Sequence, residues 1–205
     1  MSILSQKTIR NKIFLKGTGL HTGKEVELTL IPAAPNTGIL FKRVDLKKNN
    51  IILPIFNNVI DTTLCTTISN DQGAKVSTIE HLMGALYGLG IDNLIAEVNS
   101  QELPILDGSA KKYIEKILSV GIETSSTPIK LIKINKKISY TEGSKMVSLD
   151  KSKVSSEIDF EIRYENKLIG DQRNKVNIFN DDLKNIYESR TFCLYEDVEM
   201  LKKAG

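Results

Sequence analysis

Alternation of apolar and polar residues predicts several strands in this chain. Between residues 25 and 31, the side chains of Val26, Leu28 and Leu30 fall on one face, as they do in a strand with one buried side. Similar patterns predict strands at residues 39–44, 62–69 and 94–98 in the first part of the chain, and at 129–134, 146–149 and 156–164 in the second part.

Helical periodicity occurs between these strands. A helix is predicted at residues 110–120, with Asp107 or Ser109 as its N-terminal cap and Gly121 at its C-terminal end. Its predicted core face consists of Ala110, Tyr113, Ile114, Ile117 and Leu118. Shorter helices are predicted at 180–187 and 196–204. Because the strands are grouped and do not alternate strictly with helices, the pattern predicts an α+β fold.

A more informative helix is predicted from residue 77 onward. Ser77 and Glu80 have the spacing of a capping box, which places the start of the helix here. An apolar stripe then follows at helical spacing, formed by Ile79, Leu82, Met83 and Leu86. At about 100° per residue, His81 points away from that stripe.

The face of this helix that carries His81 is expected to carry the small residues Gly84, Ala85 and Gly88 as well. Small residues would let another element approach closely, so we expect His81 to face an interface or a cleft. The pattern leaves two interpretations of the Glu80–His81 pair open. It is a surface histidine beside a capping glutamate, or a metal-ligating histidine beside a carboxylate that acts as a base on metal-bound water.

The other histidine, His21, lies in a glycine-rich turn with the sequence Gly-Thr-Gly-Leu-His-Thr-Gly at residues 17–23. Three glycines in seven residues permit unusual backbone angles and a close approach of the backbone to a ligand. The turn lacks the Gly-Lys-Ser/Thr of a Walker loop. A simple hairpin loop and a ligand-binding loop are both consistent with it.

Composition narrows the class of protein. The chain has 205 residues, of which 40% are hydrophobic, and its net charge is +3. It is therefore too apolar and too weakly charged to be a disordered chain. Its basic residues are mostly lysine and are spread along the chain, which argues against a nucleic-acid-binding protein. We expect no transmembrane segment, no signal peptide, a cytoplasmic location and reduced thiols at Cys65 and Cys193.

The Ser/Thr-rich stretch at residues 123–128 is the most linker-like part of the chain. It predicts a first α+β domain at residues 1–125, which carries Glu80 and His81, and a second α+β domain at residues 126–205. The second domain is expected to be truncated, because its content of strands and helices looks unfinished. We expect a monomer, although the sequence does not define the oligomeric state.

Five sequence blocks occur in a fixed order along the chain. They are Gly-Thr-Gly-Leu-His-Thr-Gly, Ser-Thr-Ile-Glu-His-Leu, Gly-Ile-Asp-Asn, Pro-Ile-Leu-Asp-Gly-Ser-Ala and Ser-Arg-Thr-Phe. Together they resemble the zinc-dependent UDP-3-O-acyl-N-acetylglucosamine deacetylases, which commit the lipid A pathway of Gram-negative bacteria. The resemblance implies two similar two-layer α/β sandwich domains, packed face to face with the active site between them.

The resemblance also implies catalytic roles. His81 matches a zinc ligand, and Glu80 matches the general base that takes a proton from zinc-bound water. Thr191 matches the residue that hydrogen-bonds the developing oxyanion. Zn²⁺ is the implied cofactor, and UDP-3-O-acyl-N-acetylglucosamine is the implied substrate, which would lose its acetyl group.

Four further matches concern substrate binding. Leu20 and Phe192 match residues near the mouth of the acyl-chain passage. His21 and Lys145 match positions near the nucleotide-sugar end. Lys145 lies in a Glu-Gly-Ser-Lys turn and could contact a phosphate, with a solvated surface lysine as the alternative.

The chain departs from the family pattern in two respects. The family's other zinc ligands, in a His-x-x-x-Asp motif, and its general-acid histidine lie further along, whereas this chain has no histidine after His81. We therefore expect an N-terminal fragment with at most one native zinc ligand. Where the family usually has a His-Pro pair after the long strand of the second domain, this chain has Tyr-Glu-Asn-Lys at residues 164–167.

Three functional hypotheses follow from the sequence. The first is a zinc-dependent deacetylase, and the second is a catalytically incomplete fragment that only binds the nucleotide sugar or the acyl chain. The third is an unrelated α+β interaction protein. Saturable thermal stabilisation by UDP would separate the second hypothesis from the third.

Overall fold

The structure is a computed structural model that describes residues 4–152, 156–178, 180–195, 198 and 199. The described residues form two compact units. Unit 1 contains those up to Ile129 and those from Asn185 onward, and unit 2 contains those between Lys130 and Lys184. The division into domains 1–125 and 126–205 stays a prediction.

The secondary structure confirms an α+β protein. In chain order the strands are β1 (Ser5–Ile9), β2 (Ile13–Thr18), β3 (Glu25–Pro32), β4 (Ile39–Arg43), β5 (Ile51–Ile52), β6 (Val59–Asp61), β7 (Thr67–Ser69), β8 (Lys75–Val76), β9 (Leu94–Val98), β10 (Ile122–Pro128), β11 (Ile138–Glu142), β12 (Lys145–Leu149), β13 (Glu157–Arg163) and β14 (Asp171–Asn177). The helices are α1 (Glu80–Leu89), α2 (Lys111–Val120) and the single-turn α3 (Lys184–Tyr187), with a short 3-10 helix at Phe56–Asn58.

The main sheet of unit 1 has the strand order β2-β3-β9-β4-β5. Its neighbours are antiparallel except for β4 and β9, which run parallel. Two smaller sheets accompany it, one made of β6, β7 and β8 and one made of β1 and β10. The inward faces of the strands form one core with α1 and α2, and its largest fully buried side chains include Phe41, Leu28, Leu82 and Tyr113.

The strands predicted at 25–31, 39–44 and 94–98 are confirmed as β3, β4 and β9. The strand predicted at 62–69 is shortened to β7. The carboxylate of Asp61 accepts hydrogen bonds from both the backbone N–H and the hydroxyl of Thr63, at 2.9 and 2.7 Å. This local turn competes with strand pairing, so the extended ladder resumes only at Thr67.

Helix α1 has the predicted apolar stripe but not the predicted start. Ile79, Leu82 and Leu86 are buried. The capping box is wrong, because the backbone N–H of Ser77 donates to the carbonyl of Gln101 at 2.9 Å in an isolated parallel bridge. The helix begins at Glu80, whose carboxylate instead accepts the backbone N–H of Thr66.

Helix α2 confirms most of the predicted face at 110–120. Tyr113, Ile114 and Ile117 are buried, and Leu118 is exposed, contrary to the prediction. The predicted cap at Asp107 or Ser109 is not confirmed, because the N-cap residue is Ala110, which makes no side-chain cap hydrogen bond. The hydroxyl of Ser109, one position earlier, accepts the backbone N–H of Lys111 at 3.1 Å.

The predicted linker at residues 123–128 is wrong, because these residues belong to β10. Strand β10 pairs antiparallel with β1, with Ile9 opposite Ile122 and Lys7 opposite Thr124. The strand predicted at 129–134 is also wrong. Residues 130–134 pair with no strand of the described chain, and Ile132 is 92% exposed.

Unit 2 consists mainly of two hairpins. Strand β11 pairs with β12, and β13 pairs with β14, which confirms the strands predicted at 146–149 and 156–164. Their apolar side chains are largely exposed, and Val176 is the buried hydrophobic residue among those of unit 2 that the structure describes.

The helix predicted at 180–187 is shortened to α3. Its start follows Asp182, whose carboxylate accepts the backbone N–H of Lys184 at 2.9 Å and so caps this turn. The helix predicted at 196–204 lies mostly outside the described residues.

Candidate active site

One segment of unit 1, residues 101–109, is hydrogen-bonded to three of the sequence blocks that suggested chemistry. Its Ile105 N–H donates to the carbonyl of Thr18 at 3.0 Å, and its Leu103 N–H donates to the carbonyl of Ser77 at 3.1 Å. Its Gly108 carbonyl accepts the N–H of Thr191 at 2.9 Å. The 101–109 segment therefore fixes the glycine-rich loop, the start of α1 and the Ser-Arg-Thr-Phe block relative to one another.

The side chain of Glu102 lies at the centre of this arrangement and is completely buried. Its Oε1 accepts the backbone N–H of His21 at 3.0 Å and the Thr78 hydroxyl at 3.0 Å, and lies 2.9 Å from the His21 Nδ1. Its Oε2 accepts the backbone N–H and the hydroxyl of Thr22, at 2.9 and 2.8 Å. A buried carboxylate is stable only when its lone pairs are used in this way.

The glycine-rich loop connects β2 to β3, so it is a hairpin loop, and it also packs tightly on the 101–109 segment. A Cβ added to Gly19 would lie 2.5 Å from Oε2 of Glu102 and 2.5 Å from the hydroxyl oxygen of Thr22. A Cβ added to Gly17 would lie 2.9 Å from Cβ of Pro104. Both positions therefore require glycine, because neighbouring side chains lie too close for a Cβ atom.

The hydrogen bonds to Glu102 also set its ionisation. Burial alone raises the pKa of this carboxyl, but the N–H of His21 and the hydroxyl of Thr22, supported by the His21 ring and the N–H of Thr22, hold the pKa below the ordinary value of 4.5. Glu102 is thus a carboxylate at neutral pH, and a carboxylate can only accept hydrogen bonds.

Thr78 carries unusual backbone geometry two residues before Glu80. Its φ is +58°, a left-handed conformation that is a genuine outlier for a β-branched residue. The residue is buried, and its hydroxyl donates to Glu102. Such a conformation persists only where the surroundings over-determine it. The bond to Glu102 and the bridge at Ser77 supply that constraint at the start of α1.

Glu80 and His81 occupy the first two positions of α1, and both are partly buried. Oε2 of Glu80 accepts the backbone N–H of Thr66 at 3.0 Å, which fixes the carboxylate on the β7 side of the helix. Burial, together with the nearby charge of Glu80, raises the pKa of the Tyr113 hydroxyl. That hydroxyl donates to the carbonyl of Pro104 at 2.7 Å, so α2 is tied to the 101–109 segment as well.

The small-residue face predicted for α1 is only partly correct. Ala85 is completely buried in the core beside Leu82 and Leu86, because a helix of this length buries a wider stripe than the four-residue pattern predicts. Gly84 is exposed, and no atom of the described residues lies within 4 Å of a Cβ placed there, its own helix backbone aside.

An apolar cleft of about 410 Å³ opens beside Glu80. The residues that line it come from the 3-10 helix region, the small sheet and the start of α1. They are Pro54, Ile55, Phe56, Val59, Thr66, Ile68, Ile79, Glu80 and Met83. The carboxylate of Glu80 thus lies at the edge of an apolar surface.

The remaining predicted site residues are placed as follows. Leu20 follows Gly19 in the glycine-rich loop and is 54% exposed, and Phe192 is 54% exposed after Thr191. Thr191 is fixed through its backbone to Gly108, which has a φ of +80°. Lys145 is exposed and lies in the β11–β12 hairpin of unit 2, opposite Glu142.

Residue types that bind metals do not form a cluster in this part of the chain. Among residues 4–152, 156–178, 180–195, 198 and 199, no three His, Cys, Asp or Glu side chains come together as a metal site requires. A catalytic zinc site takes three protein ligands. The described residues therefore do not make up a zinc site by themselves.

Sequence reasoning missed Glu102. No motif assigned it a role, although a charged residue directly before the apolar run Leu103-Pro104-Ile105 is an available signal that a carboxylate is buried. Its partners at His21 and Thr22 lie about 80 positions away in the sequence, so spacing could not find them.

The family model of UDP-3-O-acyl N-acetylglycosamine deacetylase, LpxC, matches residues 6–205. The chain belongs to the LpxC family. Three LpxC relatives are UDP-3-O-acyl-N-acetylglucosamine deacetylases from Haemophilus ducreyi, Histophilus somni and Pasteurella multocida, which are 39%, 40% and 40% identical to this chain. Each match covers 99% of this chain and 67% of the relative, so the LpxC-family chain spans about two thirds of their length.

None of the helices in the described part of the chain is long and apolar enough to cross a membrane.

Proposed function

We propose that this chain acts in the zinc-dependent removal of the acetyl group from UDP-3-O-acyl-N-acetylglucosamine, the committed step of lipid A biosynthesis in the cytoplasm of Gram-negative bacteria. The observation that carries the proposal is the convergence of three motif blocks on the 101–109 segment, which holds the Glu80–His81 pair in a constrained backbone. The names of the relatives at about 40% identity support the same reaction.

Glu80 is the proposed general base. Its carboxylate is fixed by a single backbone donor, Thr66, through Oε2, and no hydrogen bond to Oε1 is present among the described residues. One oxygen is therefore anchored while the other can accept a proton from an attacking water.

Thr191 is proposed to hydrogen-bond the oxygen on which negative charge develops. Its backbone N–H is already used by the Gly108 carbonyl, so the hydroxyl is the group available for this purpose. Leu20 and Phe192 expose apolar side chains that suit contact with an acyl chain. His21 and Lys145 are the proposed contacts of the nucleotide sugar.

His81 is the proposed zinc ligand in this chain. It is held at the second position of α1, directly after the strained Thr78 turn, so its backbone position is well defined. Because a catalytic zinc site takes three protein ligands, the proposal requires further ligands in addition to His81 and those side chains that the structure describes.

No three metal-binding side chains come together among the described residues, and this observation favours a second candidate function. A chain that supplies one zinc ligand but retains the His21 loop and the Glu80 cleft would bind the nucleotide sugar or its acyl chain without hydrolysing it. This candidate is a binding protein and not an enzyme.

One experiment separates the two functions. The chain is incubated with Zn²⁺ and UDP-3-O-acyl-N-acetylglucosamine, and acetate release is measured beside the thermal midpoint. Acetate release that is lost in Glu80→Gln, but kept in the control Glu115→Gln on the exposed face of α2, supports the deacetylase. Saturable stabilisation without acetate supports the binding protein. If neither acetate release nor thermal stabilisation is observed at millimolar substrate, both the deacetylase and the binding protein are contradicted.

A further inference from the structure

Glu102 and His21 form a pair whose geometry has a chemical consequence. The Nδ1 atom of His21 lies 2.9 Å from Oε1 of Glu102, whose side chain is completely buried. The His21 side chain is 27% exposed, so one end of the ring is buried against the carboxylate while part of the ring reaches the surface. The ring therefore connects a buried acceptor to the surface of the loop.

The direction of the His21–Glu102 hydrogen bond follows from the ionisation of Glu102. An ionised carboxylate has no proton to give, so the proton in this bond must be on Nδ1. When the ring is neutral, its other nitrogen, Nε2, then carries a lone pair. No hydrogen bond to Nε2 of His21 is present among the described residues, so this lone pair is not used by the part of the protein that the structure covers.

We propose that Glu102 is a positioning residue that holds the His21 ring with its proton on Nδ1 and thereby presents Nε2 to the ligand as a hydrogen-bond acceptor. The group it accepts from would be a hydroxyl or amide N–H of the nucleotide sugar. The assignment of that ligand rests on the proposed function, whereas the protonation of the ring does not.

The other hydrogen bonds of Glu102 explain why its carboxylate cannot turn away from His21. Three donors converge on Oε1 and two on Oε2, and they come from the glycine-rich loop and from Thr78. Rotation of the carboxylate would break several of these bonds at once. The absence of a side chain at Gly19 leaves room for Oε2, because a Cβ there would lie only 2.5 Å away.

The proton position can be read directly by nitrogen NMR of the histidine rings. The chain has two histidines, and the spectrum of His81→Ala assigns the remaining signals to His21. Long-range proton–nitrogen spectra at pH 8 should show His21 with a protonated Nδ1 and a bare Nε2. A neutral ring with its proton on Nε2 would overturn the proposal in the parent protein, without any variant at Glu102.

Glu102→Gln tests whether the carboxylate is the cause. An amide has only one acceptor oxygen for five donors, so we expect it to release the ring into a mixture of both tautomers. The control Glu97→Gln makes the same chemical change on β9, where Glu97 pairs with Lys42, and should leave the ring unchanged. If Glu102→Gln folds and His21 remains fully protonated on Nδ1, Glu102 is not the positioning residue.

Thr22→Val is the second variant in case Glu102→Gln does not fold. It removes one donor to Oε2 and leaves all contacts of His21 with Oε1 in place. Nδ1 protonation should therefore be retained in Thr22→Val. A shift to Nε2 protonation in that variant would contradict the assignment of Oε1 as the group that holds the ring.

Ligand binding is measured separately with UDP-N-acetylglucosamine as the probe. His21→Ala should weaken binding about tenfold, the scale of one hydrogen bond, and Glu102→Gln combined with His21→Ala should add little further loss. Full additivity of the two losses would overturn the positioning role. If the parent does not bind the probe although Nδ1 is protonated, the proposed function and the ligand assignment fail while the ring assignment stands.

Discussion

Gly19→Ala tests whether the glycine-rich loop is held against a rigid carboxylate. The added methyl group would lie 2.5 Å from Oε2 of Glu102 and from the hydroxyl oxygen of Thr22. Neither atom can withdraw freely, because Oε2 accepts two hydrogen bonds and the Thr22 hydroxyl donates one of them. The backbone of Gly19 does not require a left-handed conformation, so the expected cost comes from the close contact and not from φ.

The magnitude combines three effects. Overpacking costs about 1–3 kcal/mol, and the loss of one hydrogen bond to a charged group costs about 1.5–3 kcal/mol. Replacing glycine by alanine also lowers the conformational entropy of the unfolded chain, which stabilises the folded protein by about 0.4–1 kcal/mol. We therefore expect Gly19→Ala to lower the free energy of unfolding by about 2–4 kcal/mol, which corresponds to a fall in Tm of about 5–15 °C.

Gly84→Ala is the matched control for this measurement. It makes the same substitution at an exposed position of α1 where nothing lies within 4 Å of the added atom, so helix propensity alone should stabilise it by up to about 1 kcal/mol. Denaturant and thermal melts of both variants give the comparison. A Gly19→Ala protein as stable as the parent would refute the rigid contact between the loop and Glu102.

Three further predictions concern the proposed chemistry and ionisation. Because the pKa of Glu102 is lowered on folding, its ionisation stabilises the protein above pH 4.5, and this stabilisation is lost as the pH falls through the pKa of the folded state. The free energies of unfolding of the parent and of Glu102→Gln, measured by urea melts from pH 7 to 3, should therefore converge. A constant difference between them across this pH range would contradict the prediction. In any form with deacetylase activity, Glu80→Gln should lower turnover by about 10²-fold or more with unchanged zinc content, whereas a merely structural Glu80 predicts near-normal rates. After dialysis, elemental analysis should find little zinc in the 205-residue chain, and one tightly held zinc per chain would contradict His81 as its single native ligand.

The strands and helices that are predicted best from the sequence are those in which the spacing of apolar residues reflects the burial of one face of the element. In β3, β9 and α1 the apolar residues recur at the period of the element, because one face of each packs on the same core. Strand β10 was missed since its Ser/Thr-rich residues look like a linker, and its pairing with β1 is non-local. Composition cannot detect a strand that is defined mainly by its partner.

The same limit applies to the candidate site. Glu80, His81 and His21 were singled out by local patterns, which depend only on neighbouring residues, and their roles were assigned by the resemblance of the motif blocks to a known family. Glu102 was missed because its burial depends on hydrogen-bond donors from a loop that is distant in the sequence. The residues next to Glu102 form no pattern that indicates these donors. The capping box at Ser77 failed for a related reason, since a bridge to the 101–109 segment uses the N–H that the box requires.

The pairing of β1 with β10 has a consequence for the order of folding. The hydroxyl of Ser125 donates to the carbonyl of Gln6, 119 positions away, and closing a loop of that length carries a large entropic cost before any contact repays it. During synthesis, β1 leaves the ribosome well before β10, so the ladder between them cannot form until residues 122–128 have also emerged. Until then β1 can bond only to nearer segments, such as Asp92, whose carboxylate accepts the backbone N–H of Lys7 at 2.7 Å. The ladder between β1 and β10 is therefore expected to be among the last strand pairings of unit 1 to form.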